Sequence, residues 1–279
     1  MSSDDQDWAQ QYGPWAVLAG GSEGVGAEFA FLLARAGINL VLIARKLRPL
    51  RDTADRCREI GAQVRQLALD LTDPGAVAQI IDATTDLEVG LLLYNAGANT
   101  HSEEFLDGDL EAFQRVIDLN MTTPLALVHH FAAPMRGRQR GGVLLVGSLT
   151  GYQGSARHTV YGGVKAFTRI FAEGLWVELR DYNVHVLELV LGVTRTPAMA
   201  RVGLNFDAPG LQVSDPIDVA REGLAQLPHG PVHVVSTQAA NPALHAGLDR
   251  AEAVLSSHRW MQKLLQRTAI PGSDAPPTG

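Results

Sequence analysis

Tyr161 and Lys165, four residues apart in YGGVKAF with Ser148 thirteen positions upstream, are the side chains best suited to chemistry in this chain. On a helix, positions i and i+4 share a face, so the Lys165 ammonium is expected beside the Tyr161 phenol. A cation there favours phenolate and draws a group that ordinarily titrates near pH 10 toward the range of a working acid/base. Ser148 is then placed to hydrogen-bond the same substrate oxygen. Alone, Y-x-x-x-K is a weak signal, because any exposed helix carries such a pair by chance.

A second motif lies near the other end. WAVLAGGSEGVGAEFAFLLARAG sets Gly20, Gly24 and Gly26 between an apolar strand and an apolar-periodic helix. Gly20 permits a tight turn, Gly24 lets backbone approach a pyrophosphate, and Gly26 allows close helix packing. The helix N-terminus then faces the phosphates. A lone glycine-rich loop reads equally as a flexible turn, but the flanking strand and helix supply the context a dinucleotide site requires.

Together these residues resemble the short-chain dehydrogenase/reductase family, from about Trp15 to Val235. The family's T-G-x-x-x-G-x-G motif stands here as AGGSEGVG, with Ala19 in place of threonine, and its N-N-A-G motif as Tyr94, Asn95, Ala96 and Gly97. Its catalytic tetrad corresponds to Asn120 in IDLNMTTP, Ser148 in VGSLTG, Tyr161 and Lys165. P-G-x-x-x-T reads LGVTRT, keeping Gly192 and Thr196 but carrying Leu191 in place of proline. Four motifs in the expected order make coincidence a poor explanation.

The resemblance implies reversible hydride transfer at a carbon–oxygen centre. Ser148 polarises a carbonyl, Tyr161 protonates its oxygen, and Lys165 serves both Tyr161 and the nicotinamide ribose. Asn120 holds a water that relays protons from Lys165. An oxidised nicotinamide ring adds to the Lys165 charge in lowering the Tyr161 pKa. The cofactor-binding set it implies is Gly20, Ser22, Gly24, Val25, Gly26, Arg45, Asp70, Leu71, Asn95, Ala96 and Gly97, with Tyr161, Lys165 and Thr196. Within it, Asp70 meets the adenine amino group, Asn95 supports the cofactor-side strand, Gly97 passes close to the adenosine ribose, and Thr196 reaches the nicotinamide carboxamide.

The elements that must position these groups read as a doubly wound α/β domain. Strand-like runs at Trp15–Leu18, Asn39–Ile43, Gln63–Ala68, Gly90–Leu93, Gly142–Val146, Val184–Val190 and Val232–Val235 alternate with helical patterns. Several are continuously apolar, as in a parallel sheet covered on both faces. The 279 residues therefore predict a single Rossmann-type domain over 14–270, behind an N-terminal extension at 1–13 and before a mobile tail at 271–279. A substrate lid is expected at about 197–211. Leu248, Ala251, Val254, Leu255, Trp260, Met261, Leu264 and Leu265 form a helical stripe suited to core or subunit contact.

After the second strand, NAD-preferring folds carry an acid for the ribose hydroxyls, whereas LVLIARK offers Ala44, Arg45 and Lys46. NADP(H) is therefore favoured over NAD(H), with Arg45 as the phosphate ligand and Glu23 as an opposing charge. A net charge of −7 and dispersed basic residues argue against nucleic-acid or anionic-membrane partners. The expected protein is cytoplasmic, and a single cysteine, Cys57, allows neither a disulfide framework nor a cysteine zinc site. A nucleophile elbow around Ser148 fails because Val146 and Thr150 stand where glycines are needed, and the adjacent His129 and His130 make a poor metal pair.

The sequence thus predicts an oxidoreductase interconverting a ketone and a secondary alcohol on a small or apolar substrate. A 3-oxoacyl thioester reductase is the alternative enzyme, and a catalytically inactive nucleotide-binding regulator the alternative outside enzymes; the complete tetrad weighs against the latter. Apolar helices over about 110–135 and 160–180 predict a homodimer or homotetramer, with Phe167, Phe171, Leu175 and Trp176 as contact candidates.

Overall fold

In the computed structural model, which describes residues 3–241, seven strands form one parallel sheet. They are β1 (Trp15–Ala19), β2 (Asn39–Ala44), β3 (Val64–Ala68), β4 (Val89–Tyr94), β5 (Gly141–Ser148), β6 (Val184–Leu191) and β7 (Val232–Val234), in the spatial order β3-β2-β1-β4-β5-β6-β7. Chain order reverses between β1 and β4, and ligands of such sheets bind at the carboxyl ends of the strands beside that switch. The seven sequence-predicted strands all lie in this sheet, with ends shifted by up to two residues.

Nine α-helices cover the sheet among the described residues. On one face α2 (Gly24–Arg35), α3 (Leu47–Ile60) and α9 (Pro216–Gln226) enclose a core that includes Leu18, Phe29, Leu33, Leu42 and Leu187. On the other, α4 (Ala76–Asp82), α5 (Leu110–Ile117), α6 (Thr123–Gly137) and α7 (Thr159–Leu179) enclose a core with Leu127, Phe131, Leu145 and Val186. Full burial of each such side chain contributes about 1.5–3 kcal/mol. Local chemistry sets the helix ends: Asp109 and Asp215 cap α5 and α9 by accepting the backbone N–H of Glu111 and Ile217, and Gly61 ends α3 in the left-handed region.

The first thirteen residues are more than an extension. They carry α1 (Ser3–Tyr12), and its Tyr12 ring is fully buried with the hydroxyl 2.6 Å from His185 Nδ1 on β6. Arg140 and Gln11 tie the same helix down, the first donating to Gln10 O and the second to Asn183 O. At the other end, the predicted helical stripe at 248–265 and the tail at 271–279 lie outside the described residues.

The predicted lid begins with the short helix α8 (Pro197–Arg201), capped by Thr196, and continues in turns. Of the contact candidates on α7, Phe171, Leu175 and Trp176 pack on the protein's own core and Phe167 stacks on Phe171 at 5.6 Å; the exposed apolar residues of the helix are Ile170 and Val177, which are not among the candidates. The apolar character of the candidates is thus largely explained by the sheet beneath them.

Candidate active site

The loops after β1 and β4 meet at the carboxyl edge of the sheet. The turn after β1 carries the glycine motif, and Gly20 O accepts a hydrogen bond from Asn95 Nδ2 at 2.9 Å. Backbone N–H groups of Asn95 and Ala96 both donate to Ala19 O, so the loops after β1 and β4 are locked together. A Cβ at Gly26 would overlap the Gly20 carbonyl, which fixes the need for glycine at the start of α2. Val25, Gly26 and Ala27 are buried at that helix N-terminus, and Ser22 O accepts from Thr53. This is a cradle shaped for backbone approach of a dinucleotide pyrophosphate.

After β3, Asp70 Oδ1 accepts from the backbone and hydroxyl of Thr72, and Oδ2 pairs with Arg45 at 3.4 Å. Burial raises the Asp70 pKa, but the Thr72 hydrogen bonds and the Arg45 charge outweigh it and hold the carboxyl below its usual value. The adjacent Leu71 is buried and its carbonyl accepts from Thr123 Oγ1 at 2.8 Å. Glu23 is enclosed by cations: Arg201 of α8 donates to both carboxylate oxygens and Lys46 Nζ lies 3.3 Å away. The Arg201 hydrogen bond is the main reason its pKa is lowered. The sequence reading set Glu23 against NADP; the structure spends that charge on Arg201 and Lys46. Arg201 lies far along the chain from Glu23, and no local pattern announces the pair.

Tyr94, which replaces the family asparagine, donates to Leu119 O at 2.6 Å. That carbonyl is free because α5 and α6 join through a π-helical turn at Asp118–Thr122, which displaces the i→i−4 pattern around Asn120. Asn120 Nδ2 donates to Val116 O at 2.9 Å and Ala98 O at 3.2 Å, leaving buried Oδ1 without a partner among the described residues. A Cβ on Gly97 would stand 2.8 Å from both Asn120 Oδ1 and Lys165 Nζ. Beside them is a cavity of about 10 Å³ lined by Tyr94, Asn120, Val146, Lys165 and Phe167. It suits one water, which needs polar partners of just this kind. The missing proline has a consequence too: with a backbone N–H available at Leu191, β6 stays paired with β5 as far as Ser148.

Ser148, at the end of β5, faces Tyr161 near the start of α7, and its hydroxyl opposes the burial that raises the phenol pKa. The hydroxyl and backbone N–H of Thr150 donate to Ser148 Oγ at 2.8 and 3.3 Å. A serine oxygen accepts two hydrogen bonds and donates one, so Thr150 leaves the Ser148 proton for Tyr161 or a substrate oxygen. Thr150 escaped the sequence reading, which used it only to exclude a nucleophile elbow.

Lys165 is buried, with Nζ donating to Val146 O at 2.8 Å and lying 5.7 Å from the Tyr161 ring centroid. The expected lowering of the Tyr161 pKa is not found in the protein alone. Burial raises it, opposed by the Ser148 hydrogen bond. Burial likewise lowers Lys165 to about 8, with Glu188 pulling the other way. Thr196 keeps its hydroxyl on Met199 N as the α8 cap, while its methyl faces Gly24. His101 packs edge-on against Phe113, His129 is exposed, and no group of three His, Cys, Asp or Glu suited to a metal occurs among the described residues. No helix among them is long and apolar enough to cross a membrane.

Comparison with known proteins agrees with this geometry. The family model described as short chain dehydrogenase matches residues 14–205. A 7beta-hydroxysteroid dehydrogenase from Clostridium sardiniense is 29% identical over 222 residues, covering 79% of this chain and 85% of that protein. A structure from a study of 7beta-hydroxysteroid dehydrogenase stereoselectivity superposes with a TM-score of 0.81 at 26% identity, covering 91% of this chain and 98% of the other. A short-chain dehydrogenase from Sphingobium yanoikuyae in complex with NADPH gives 0.73 at 27% identity, covering 94% and 98%. With its glycine cradle, its serine–tyrosine–lysine cluster and the matched profile, this chain belongs to the short-chain dehydrogenase/reductase family, as an oxidoreductase acting on CH–OH and C=O groups.

Proposed function

We propose that the chain is an NADP(H)-dependent reductase of an apolar, ring-based ketone, running reversibly to the secondary alcohol. The observation that carries the cofactor choice is the arrangement after β2. Arg45 and Lys46 stand where an NAD-selective fold places an acid, and Glu23 is occupied by Arg201 and Lys46. Arg45 is largely exposed and its pair with Asp70 is long, so it is free to turn to a 2′-phosphate.

When bound, the nicotinamide supplies or accepts the hydride. In the reducing direction the Ser148 hydroxyl donates a hydrogen bond to the substrate oxygen, and Tyr161 transfers its proton to that oxygen as negative charge develops. Lys165, anchored on Val146 O, provides the positive charge that makes the phenolate bearable. A water in the cavity by Asn120 Oδ1 reloads the proton through Lys165. Ser22, the glycine loop, Asp70, Leu71 and Asn95–Gly97 would hold the dinucleotide, and the Thr196 hydroxyl, which caps α8 through Met199 N, would serve the carboxamide.

Relatives named for 7beta-hydroxysteroid activity make hydroxysteroids and ketosteroids the first substrates to try. The test is a screen following nicotinamide absorbance with steroid ketones, acyl thioesters and small ketones, each with NADPH and NADH. Oxidation of NADPH by ketosteroids supports the reading; thioester turnover alone moves the substrate class. A second copy of the chain covering Ile170 and Val177 of α7 gives the homo-oligomer, and light scattering at micromolar concentration that finds only monomers overturns it.

A further inference from the structure

β6 reads VHVLELVL, a continuous apolar strand interrupted by one carboxylate. Glu188 is 0% exposed, yet neither carboxylate oxygen accepts a hydrogen bond from any described residue. Such a group has no packing advantage over the leucines on either side of it, Leu187 and Leu189, and burying it unpaired costs several kcal/mol (roughly 2–7 even for a neutral polar group). Its place is specific. Glu188 pairs with Leu145 on β5, and its side chain lies over Gly147, where any Cβ would overlap Oε1. Gly147 directly precedes Ser148, and Val146, the residue before it, holds Lys165 through its carbonyl.

The charged and titratable groups facing Glu188 are Lys165, Arg169 and Glu173 of α7 and Tyr152 of the turn after β5. Arg169 covers the Tyr152 ring at 4.3 Å, and its charge, like that of Lys165, opposes the rise of the Glu188 pKa. Lys165 is the cation fixed beside the acid/base pair. Resting on the oxidoreductase reading above, we propose that Glu188 is a positioning residue for the acid/base chemistry, supplying from inside the core the negative charge that keeps Lys165 protonated on the alkaline side of neutrality. Burial pushes Glu188 up and Lys165 down, and the charge of each opposes the displacement of the other.

Glu188→Gln keeps the shape and removes the charge. NADPH affinity, followed by nicotinamide fluorescence from pH 6 to 9.5, should fall as Lys165 loses its proton. The midpoint of that fall should move to lower pH by about one unit or more in the variant, with the alkaline limb of kcat moving the same way. A merely structural Glu188 changes Tm and leaves both midpoints in place; coincident midpoints overturn the proposal. A second measurement needs neither a variant, a cofactor nor a substrate. In the infrared spectrum of the wild type, absence of a buried protonated carboxylic acid band at pH 9 supports the charge, and a band persisting there overturns it. Failure of both proteins to bind NADPH would reject the cofactor reading while the infrared result still judged Glu188.

Discussion

The Thr150 hydroxyl donates to Ser148 Oγ at 2.8 Å, which leaves the Ser148 proton for another acceptor such as Tyr161 or a substrate oxygen. Thr150→Val keeps the branched shape and removes the donor. The lost bond is worth about 0.5–1.5 kcal/mol, so kcat should fall by roughly two- to tenfold. NADPH affinity, measured by fluorescence, should change little. An unchanged kcat would mean that Ser148 is oriented without Thr150.

Tyr94→Phe tests the substitution that this chain makes in its N-N-A-G motif. The phenol is buried on Leu119 O in the π-helical turn, and its removal leaves that carbonyl unpaired at a cost of about 1–3 kcal/mol. A drop in Tm of roughly 2–10 °C follows, with kcat reduced because the turn carries Asn120. A variant equal to wild type in both respects would show that the turn holds itself.

Arg45→Ala should erase most of a preference for NADPH and leave NADH affinity nearly unchanged. A guanidinium–phosphate contact contributes about 1.5–3 kcal/mol, or roughly ten- to a hundredfold in affinity. Glu23→Gln, which frees Arg201 and Lys46 from their carboxylate, should raise NADPH affinity further. Titration of both reduced cofactors into the three proteins decides; an NADH preference in the wild type contradicts the assignment.

Glu188 also makes stability depend on pH. Its folded pKa of about 8 lies above the unfolded value of 4.5, so the folded state favours its protonated form. That contribution is complete below the unfolded pKa and is lost as pH rises through about 8. Lys165, displaced downward to about 8, adds no slope below that pH because it is protonated in both states there. At about 1.4 kcal/mol per unit of displacement, the wild type should lose on the order of 2–4 kcal/mol relative to Glu188→Gln between pH 5 and 8. Denaturant unfolding across that range checks it, and parallel curves would contradict it.

The parts of the molecule that recur with a period or a fixed spacing were legible from residues alone. The apolar runs gave the strands, AGGSEGVG the glycine turn between β1 and α2, and Tyr161 with Lys165 one face of α7. Contacts between residues distant in sequence were not. Arg201 meets Glu23 only after the chain has crossed the sheet several times, and Tyr12 meets His185 only when α1 folds under β6. Thr150 needed the turn after β5 to bring its hydroxyl back on Ser148. Distance also corrected chemistry: the i, i+4 relation puts Lys165 near the Tyr161 ring, but its ammonium is held on Val146 O, and burial then raises the phenol pKa. Glu188 alone left a readable trace, an acid inside an apolar strand.

The central claim is that Tyr161 moves the proton at the substrate oxygen. Tyr161→Phe removes one hydroxyl and almost no volume, so the glycine cradle and NADPH binding should persist within about twofold while the rate falls by roughly a hundredfold or more. The direct measurement is nicotinamide absorbance with a turned-over ketone, for wild type and Tyr161→Phe side by side with their NADPH titrations. Loss of turnover with retained binding is the expected result; a Tyr161→Phe protein that turns over near the wild-type rate contradicts the account.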